Sequence, residues 1–190
     1  MEQYKRILLK EFDSKQKVIT ELINLEAILN LPKGTELYLS DIHGEFEAFD
    51  YILRTCAGNL NEKINDCFGE KLSKEEKDKL TLLIAYPQEV LSDGFLYPLK
   101  DKSWYGEIIQ NLLTLLAFVA AKYTRSKVRK ALPPQYAYII EELLYTDRNL
   151  PDSNIYFETI QNYLIDLGEA SQFISALAKV IRQLIIDHLH

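Results

Sequence analysis

Residues 2 to 30 set Tyr4, Ile7, Leu8, Phe12, Ile19, Leu22, Ile23 and Leu29 at three- and four-residue spacings. An α-helix returns to one face about every 3.6 residues, so this spacing predicts one or two amphipathic helices. Asp13 with Gln16 is a candidate cap for the second segment. Leu31-Pro32-Lys33-Gly34 then halts the helix, because proline lacks a donor and glycine accepts a left-handed turn. The short apolar run Glu36-Leu37-Tyr38-Leu39-Ser40 predicts a strand, and beyond Gly44 a helical spacing resumes at Phe46, Phe49, Ile52 and Leu53. Residues 31–58 are thus expected to form a β-strand, loop and α-helix unit behind a helical lead-in over 1–30.

From 59 to 190 the pattern is helical. Ser73 and Glu76 spell a capping box ahead of Leu80, Leu83 and Ile84, with Pro87 and Asp93-Gly94 as the expected stop. Further helices are predicted from near Ser103 to Tyr123, Pro134 to Tyr145 and Ser153 to Leu167, and a last one from near Glu169. In that last segment Phe173, Ile174, Leu177, Val180, Ile181, Leu184 and Ile185 make a helical face, while Ile185 to His190 is equally compatible with a strand. No internal repeat or dividing linker interrupts the chain, so 1–190 is expected to be a single domain or an N-terminal fragment of one.

Composition narrows the function classes. Hydrophobic residues make up 47% and charged residues 26%, which is the balance of a chain that folds around a core rather than a disordered one. The net charge of -6 argues against a nucleic-acid surface spread over the molecule. Cys56 and Cys67 form no CxxC or zinc-like cluster, and a reduced, cytoplasmic setting is expected. Charges interrupt the N-terminal segment as they do not in a signal peptide. The most apolar run, Leu112 to Ala121, is too short to span a bilayer, so neither export nor membrane insertion is expected.

Chemistry concentrates at Ser40-Asp41-Ile42-His43-Gly44-Glu45, between the predicted strand and helix. Ligand sites collect at strand C-termini, and there a DxH pair lets a carboxylate and an imidazole reach one divalent ion. A DxH tripeptide alone also occurs as an ordinary turn, with Asp41 capping the next helix and His43 in water. Its surroundings add weight. Leu31-Pro32-Lys33-Gly34-Thr35-Glu36 followed by Leu39 to Asp50, then Tyr123-Thr124-Arg125-Ser126-Lys127-Val128-Arg129-Lys130-Ala131-Leu132-Pro133, Tyr138 to Tyr145, and Asp187-His188-Leu189-His190 together resemble the class III fructose-1,6-bisphosphatases, members of the calcineurin-like metallophosphatase superfamily.

The resemblance implies a predominantly α-helical chain carrying the first βα unit of an α/β metallophosphatase sandwich. It implies hydrolysis of the 1-phosphate of fructose 1,6-bisphosphate, a gluconeogenic reaction, with Asp41 and His43 as ligands to one of two divalent ions, manganese being the expected metal. Water would be the nucleophile. The family's later blocks, similar to GDxxDRG and GNH(D/E), have no counterpart here: Asp147-Arg148 lacks the preceding Gly-Asp, and no Asn-His pair occurs. The expectation is an N-terminal portion ending before the second metal block, with little turnover alone, completed by a C-terminal partner chain or by a homo-oligomer. Other readings are a non-catalytic helical binding or regulatory module, and a calcineurin-like phosphatase with a different substrate.

Two further features remain. Lys122, Arg125, Lys127, Arg129 and Lys130 make one basic tract, with 122, 125 and 129 on one helical face. Arg125, Lys127, Arg129 and Lys130 are candidates to bind the phosphate of a sugar bisphosphate, a nucleotide or another phosphometabolite effector, with ion pairing to residues such as Glu141 and Glu142 as the even alternative. His188 and His190 form an HxH pair that would share one side of a strand, at the end of the chain and without a third ligand nearby. No glycine-rich phosphate loop, GxSxG elbow or HExxH occurs, so serine and single-zinc hydrolase chemistry have no support.

Overall fold

The computed structural model describes residues 2–30, 38–39, 43–92, 96–97, 99–147 and 150–186. The chain divides into two compact units, Met1–Lys33 and Gly34–His190. In the first, α1 (Glu2–Glu11) and α2 (Lys15–Leu29) are joined by a short turn. The cap of α2 is Ser14, whose hydroxyl accepts from the Lys17 amide, while Asp13 takes the Lys17 ammonium at 2.9 Å. Serine wins because its short side chain reaches the free amide from the residue immediately before the helix. Leu8, Phe12, Val18, Leu22 and Leu25 line an apolar hollow in this unit.

The second unit contains α3 (Phe46–Arg54), α4 (Asn59–Phe68), α5 (Lys74–Ala85), α6 (Pro87–Ser92), α7 (Lys102–Ala120), α8 (Arg125–Ala131), α9 (Ala137–Tyr145), α10 (Pro151–Asp166) and α11 (Ala170–Ile185). Among the described residues there is no strand; Tyr38 and Leu39 lie in irregular backbone, and the other positions of the expected strand fall outside the described residues. Pro87, expected to end a helix, opens α6 directly after α5. Its ring fits the first turn of a helix, where the missing donor would have no acceptor anyway.

The core is built on α7 and α11, which pack along each other, with α4, α5 and α10 laid against them. Ile109, Leu112, Leu115 and Leu116 of α7 and Phe173, Ile174, Leu177 and Ile181 of α11 are fully buried in one core cluster. Their removal from water is the main favourable term in folding. The helix starts are capped by side chains: Asp101 accepts from the Trp104 amide at 2.8 Å, Thr124 from that of Lys127, and Ser73 with Glu76 forms the full reciprocal box. Polar ends of core aromatics also find partners. Tyr123 donates to the Leu184 carbonyl at 2.8 Å, and Tyr136 donates to Glu169 at 2.6 Å while its ring meets Phe173 edge-on. Among the described residues no helix is long and apolar enough to cross a membrane.

Candidate functional site

Asp41 lies outside the described residues; His43 stands exposed in a turn just before α3. His43 and Gly44 both have left-handed backbone, φ 47° and 78°, and the Phe46 amide closes the turn on the Gly44 carbonyl at 2.9 Å. Left-handed φ is free for glycine but costs a histidine roughly 1 kcal/mol or more, so residue 43 is held in a conformation its side chain does not favour by itself. Such outliers gather where a side chain must be aimed. The turn carries the His43 imidazole, a nitrogen donor of a kind that divalent metal ions accept. Among the described residues no group of three or more His, Cys, Asp or Glu side chains is placed to hold a metal ion, so the rest of any shell must come from beyond them.

The helix that leaves this turn carries a second set of polar groups. Asp50 and Arg54 pair one turn apart on α3 at 2.7 Å, and Arg54 also lies 3.8 Å from Glu89 and over the Tyr86 ring. Arg54 and Arg182 each donate to the Ala85 carbonyl at 3.3 Å. Ala85 is the last residue of α5, where unpaired carbonyls and the helix dipole favour cations. Neither arginine stood out in the sequence, because they lie far apart in the chain and belong to no local motif.

The basic tract resolves into separate environments. Arg129 grips Glu141 with two nitrogens, Nε and Nη2, at 3.0 Å each, and Arg125 Nε reaches the same carboxylate at 3.2 Å while its guanidinium covers the Tyr145 ring. Hydrogen bonds from Arg129, and then from Arg125, hold the Glu141 carboxyl below the usual range. Lys127 and Lys122 both sit over the Tyr123 ring, at 4.8 and 4.9 Å. Lys130 differs: it is exposed and lines a hollow of about 330 Å³ together with Lys179 of α11.

Both cysteines are free. Cys56 is fully buried, its thiol pushed up to about 11 by burial and directed at the Arg182 carbonyl at 3.8 Å. A thiol so placed is a poor nucleophile. His188 and His190 fall outside the described residues.

The sequence pattern of the family described as Firmicute fructose-1,6-bisphosphatase matches residues 3–190 of this chain. A protein of Streptococcus gordonii named fructose-1,6-bisphosphatase class 3 is 67% identical over 190 residues, which cover 100% of this chain and 29% of that protein. One of the same name from Streptococcus sanguinis is 69% identical over the same shares, 100% and 29%. Another, from Listeria monocytogenes serotype 4b, is 49% identical over 99% of this chain and 29% of its own length. The chain thus spans about 29% of the length of these curated relatives. No solved structure matches it.

Proposed function

We infer the function from one premise: this chain belongs to the Firmicute fructose-1,6-bisphosphatase family. On it we propose that the whole protein removes the 1-phosphate of fructose 1,6-bisphosphate, and that these 190 residues contribute the opening part of its metal site. The observation that carries this reading is the agreement along the entire chain, 67% identity with a relative so named, rather than the DxH tripeptide alone. Asp41 supplies a carboxylate oxygen and His43 an imidazole nitrogen to one divalent ion, manganese being the metal that the family resemblance implies. Gly44 turns the backbone sharply, φ 78°, so that α3 can start directly behind the ligand loop. The expected strand before Ser40 would place both donors at a strand tip, the first βα unit of a metallophosphatase layer.

In hydrolysis a water oxygen bonds to phosphorus, the bond from phosphorus to the sugar oxygen breaks, and a proton passes to that oxygen. Two bound ions would supply charge to the phosphoryl group and acidity to the water. The chain's own part would be to supply these two donors, His43 from the turn that opens α3. Two protein donors hold an ion weakly, so little turnover is expected from these residues alone, and a partner chain or further segment would complete the shell. A cytoplasmic setting suits two unpaired cysteines.

Manganese binding tests this without relying on turnover. Titration of the chain followed by the electron paramagnetic resonance of free Mn²⁺ should reveal weak binding that Asp41→Asn or His43→Ala abolishes. Binding that survives both substitutions would overturn the assignment.

A further inference from the structure

We propose that an open cleft bounded by α3, α6 and α11 binds a small molecule bearing a phosphoryl group, held by Arg54, Lys179 and Arg182. The cleft encloses about 780 Å³, room for a phosphorylated metabolite rather than a lone ion. Its charged lining is Arg54, Lys179 and Arg182 against a single acid, Glu89. The chain as a whole carries a net charge of -6, so this concentration of cations runs against the general trend of the molecule.

Arg182 is the centre of the case. It is partly buried, its Nε is fully buried without an acceptor, and among the described residues no carboxylate pairs with it. Among the described residues its one side-chain hydrogen bond is from Nη1 to the Ala85 carbonyl, an acceptor already shared with Arg54. Arg54 has Asp50 and Glu89 beside it, whereas Arg182 has only the shared carbonyl, which carries a partial charge even at the negative end of a helix. Burial, and next the adjacent Arg54, both push the Arg182 pKa down, as expected of a cation short of counter-charge. Asp50 and Glu89 pull it upward only weakly, without an ion pair to Arg182, being engaged with Arg54 at 2.7 and 3.8 Å. A partly buried cation whose buried Nε has no acceptor is stabilised when something negative occupies the space beside it.

The geometry selects the chemistry of that occupant. Guanidinium forks match phosphate oxygens bidentately, and a lysine adds a mobile point charge at the rim. Lys179 is exposed and borders both this cleft and the adjoining hollow lined by Lys130, so the basic lining continues along α11. Divalent metal ions would be repelled here, and a neutral sugar would leave Arg182 uncompensated.

The site is independent of the manganese ligands and is tested without metal. The chain is titrated by calorimetry with inorganic phosphate and, separately, with fructose 1,6-bisphosphate, in chelator and at constant ionic strength set with chloride. Saturable binding of either probe is expected, weakened at least about tenfold by Arg182→Gln and by Lys179→Gln, and unchanged by Lys74→Gln on the exposed start of α5. A bisphosphate that binds more tightly than phosphate assigns the site to the sugar as well; equal affinities assign it to the phosphoryl group alone. Absence of saturable binding of both probes, or wild-type affinity in R182Q, overturns the proposal. Should R182Q lose its helical circular dichroism, K179Q at its solvent-exposed position decides by the same criterion.

Discussion

At the scale of single residues, the arginine and glutamate of α8 and α9 make a pH-dependent claim. Glu141 accepts from Arg129 and Arg125, and those hydrogen bonds place its folded pKa below the unfolded value. A lowered carboxylate pKa means the unfolded chain binds more protons, so the pairing contributes stability above the unfolded pKa of about 4.3 and loses it as pH falls through the folded one. Glu141→Gln should therefore melt below wild type at pH 7, and the two curves should converge below about pH 4. A gap that persists in acid would mean that packing, not charge, sets the loss. The alternative of ion pairing for this tract was legible in the sequence, since helical phase puts Arg125 and Arg129 on one face and acids follow at Glu141 and Glu142. That Glu141 takes both arginines, while Glu142 accepts from Tyr156 at 3.1 Å, was not, because neighbouring acids on a helix differ only in the face they present.

At the scale of elements, α7 and α10 are tied by an unusual contact. Gly106 sits inside α7, where glycine costs about 1 kcal/mol against alanine, yet the Gln161 amide of α10 donates to its carbonyl at 2.7 Å. A methyl group at 106 would lie 2.8 Å from that amide nitrogen. Gly106→Ala should thus be near neutral, the helical gain offset by a displaced hydrogen bond of about 1 kcal/mol, whereas in a Gln161→Ala background it should stabilise by about 1 kcal/mol. Urea denaturation of the four chains measures this cycle, and a full gain from G106A alone would show that the amide does not reach the backbone. Much at this scale was readable in advance. The capping box foretold where α5 begins, and the apolar period foretold α7, α9, α10 and α11. The start of α6 was hidden by the double meaning of Pro87, which can stop one helix or open the next. Leu60, Ile64 and Phe68, spaced four apart and buried, did signal α4, a stretch expected to be helical but not marked off as a separate element.

At the scale of the molecule, apolar periodicity says which face of a helix is buried but not which helix it meets, so the pairing of α7 with α11 and the meeting of Arg54 with Arg182 were beyond reach of the sequence. The same limit separates core residues from apolar residues that happen to lie outside. Phe173 and Ile155 are both apolar helical positions, yet Phe173 is wholly buried against Tyr136 and Ile155 is 62% exposed on α10. Truncating a buried phenylalanine forfeits its transfer from water and leaves a cavity, a loss of about 3–5 kcal/mol. Truncating an exposed isoleucine forfeits little, and alanine is the better helix former, so the change should stay within about 0.5 kcal/mol. Guanidinium denaturation of Phe173→Ala and Ile155→Ala compares them directly, with Phe173→Leu expected to fall between because it keeps most of the apolar contact. Equal losses for F173A and I155A would mean that α11 is not the centre of the fold, and the cleft that depends on its Arg182 would lose its support as well.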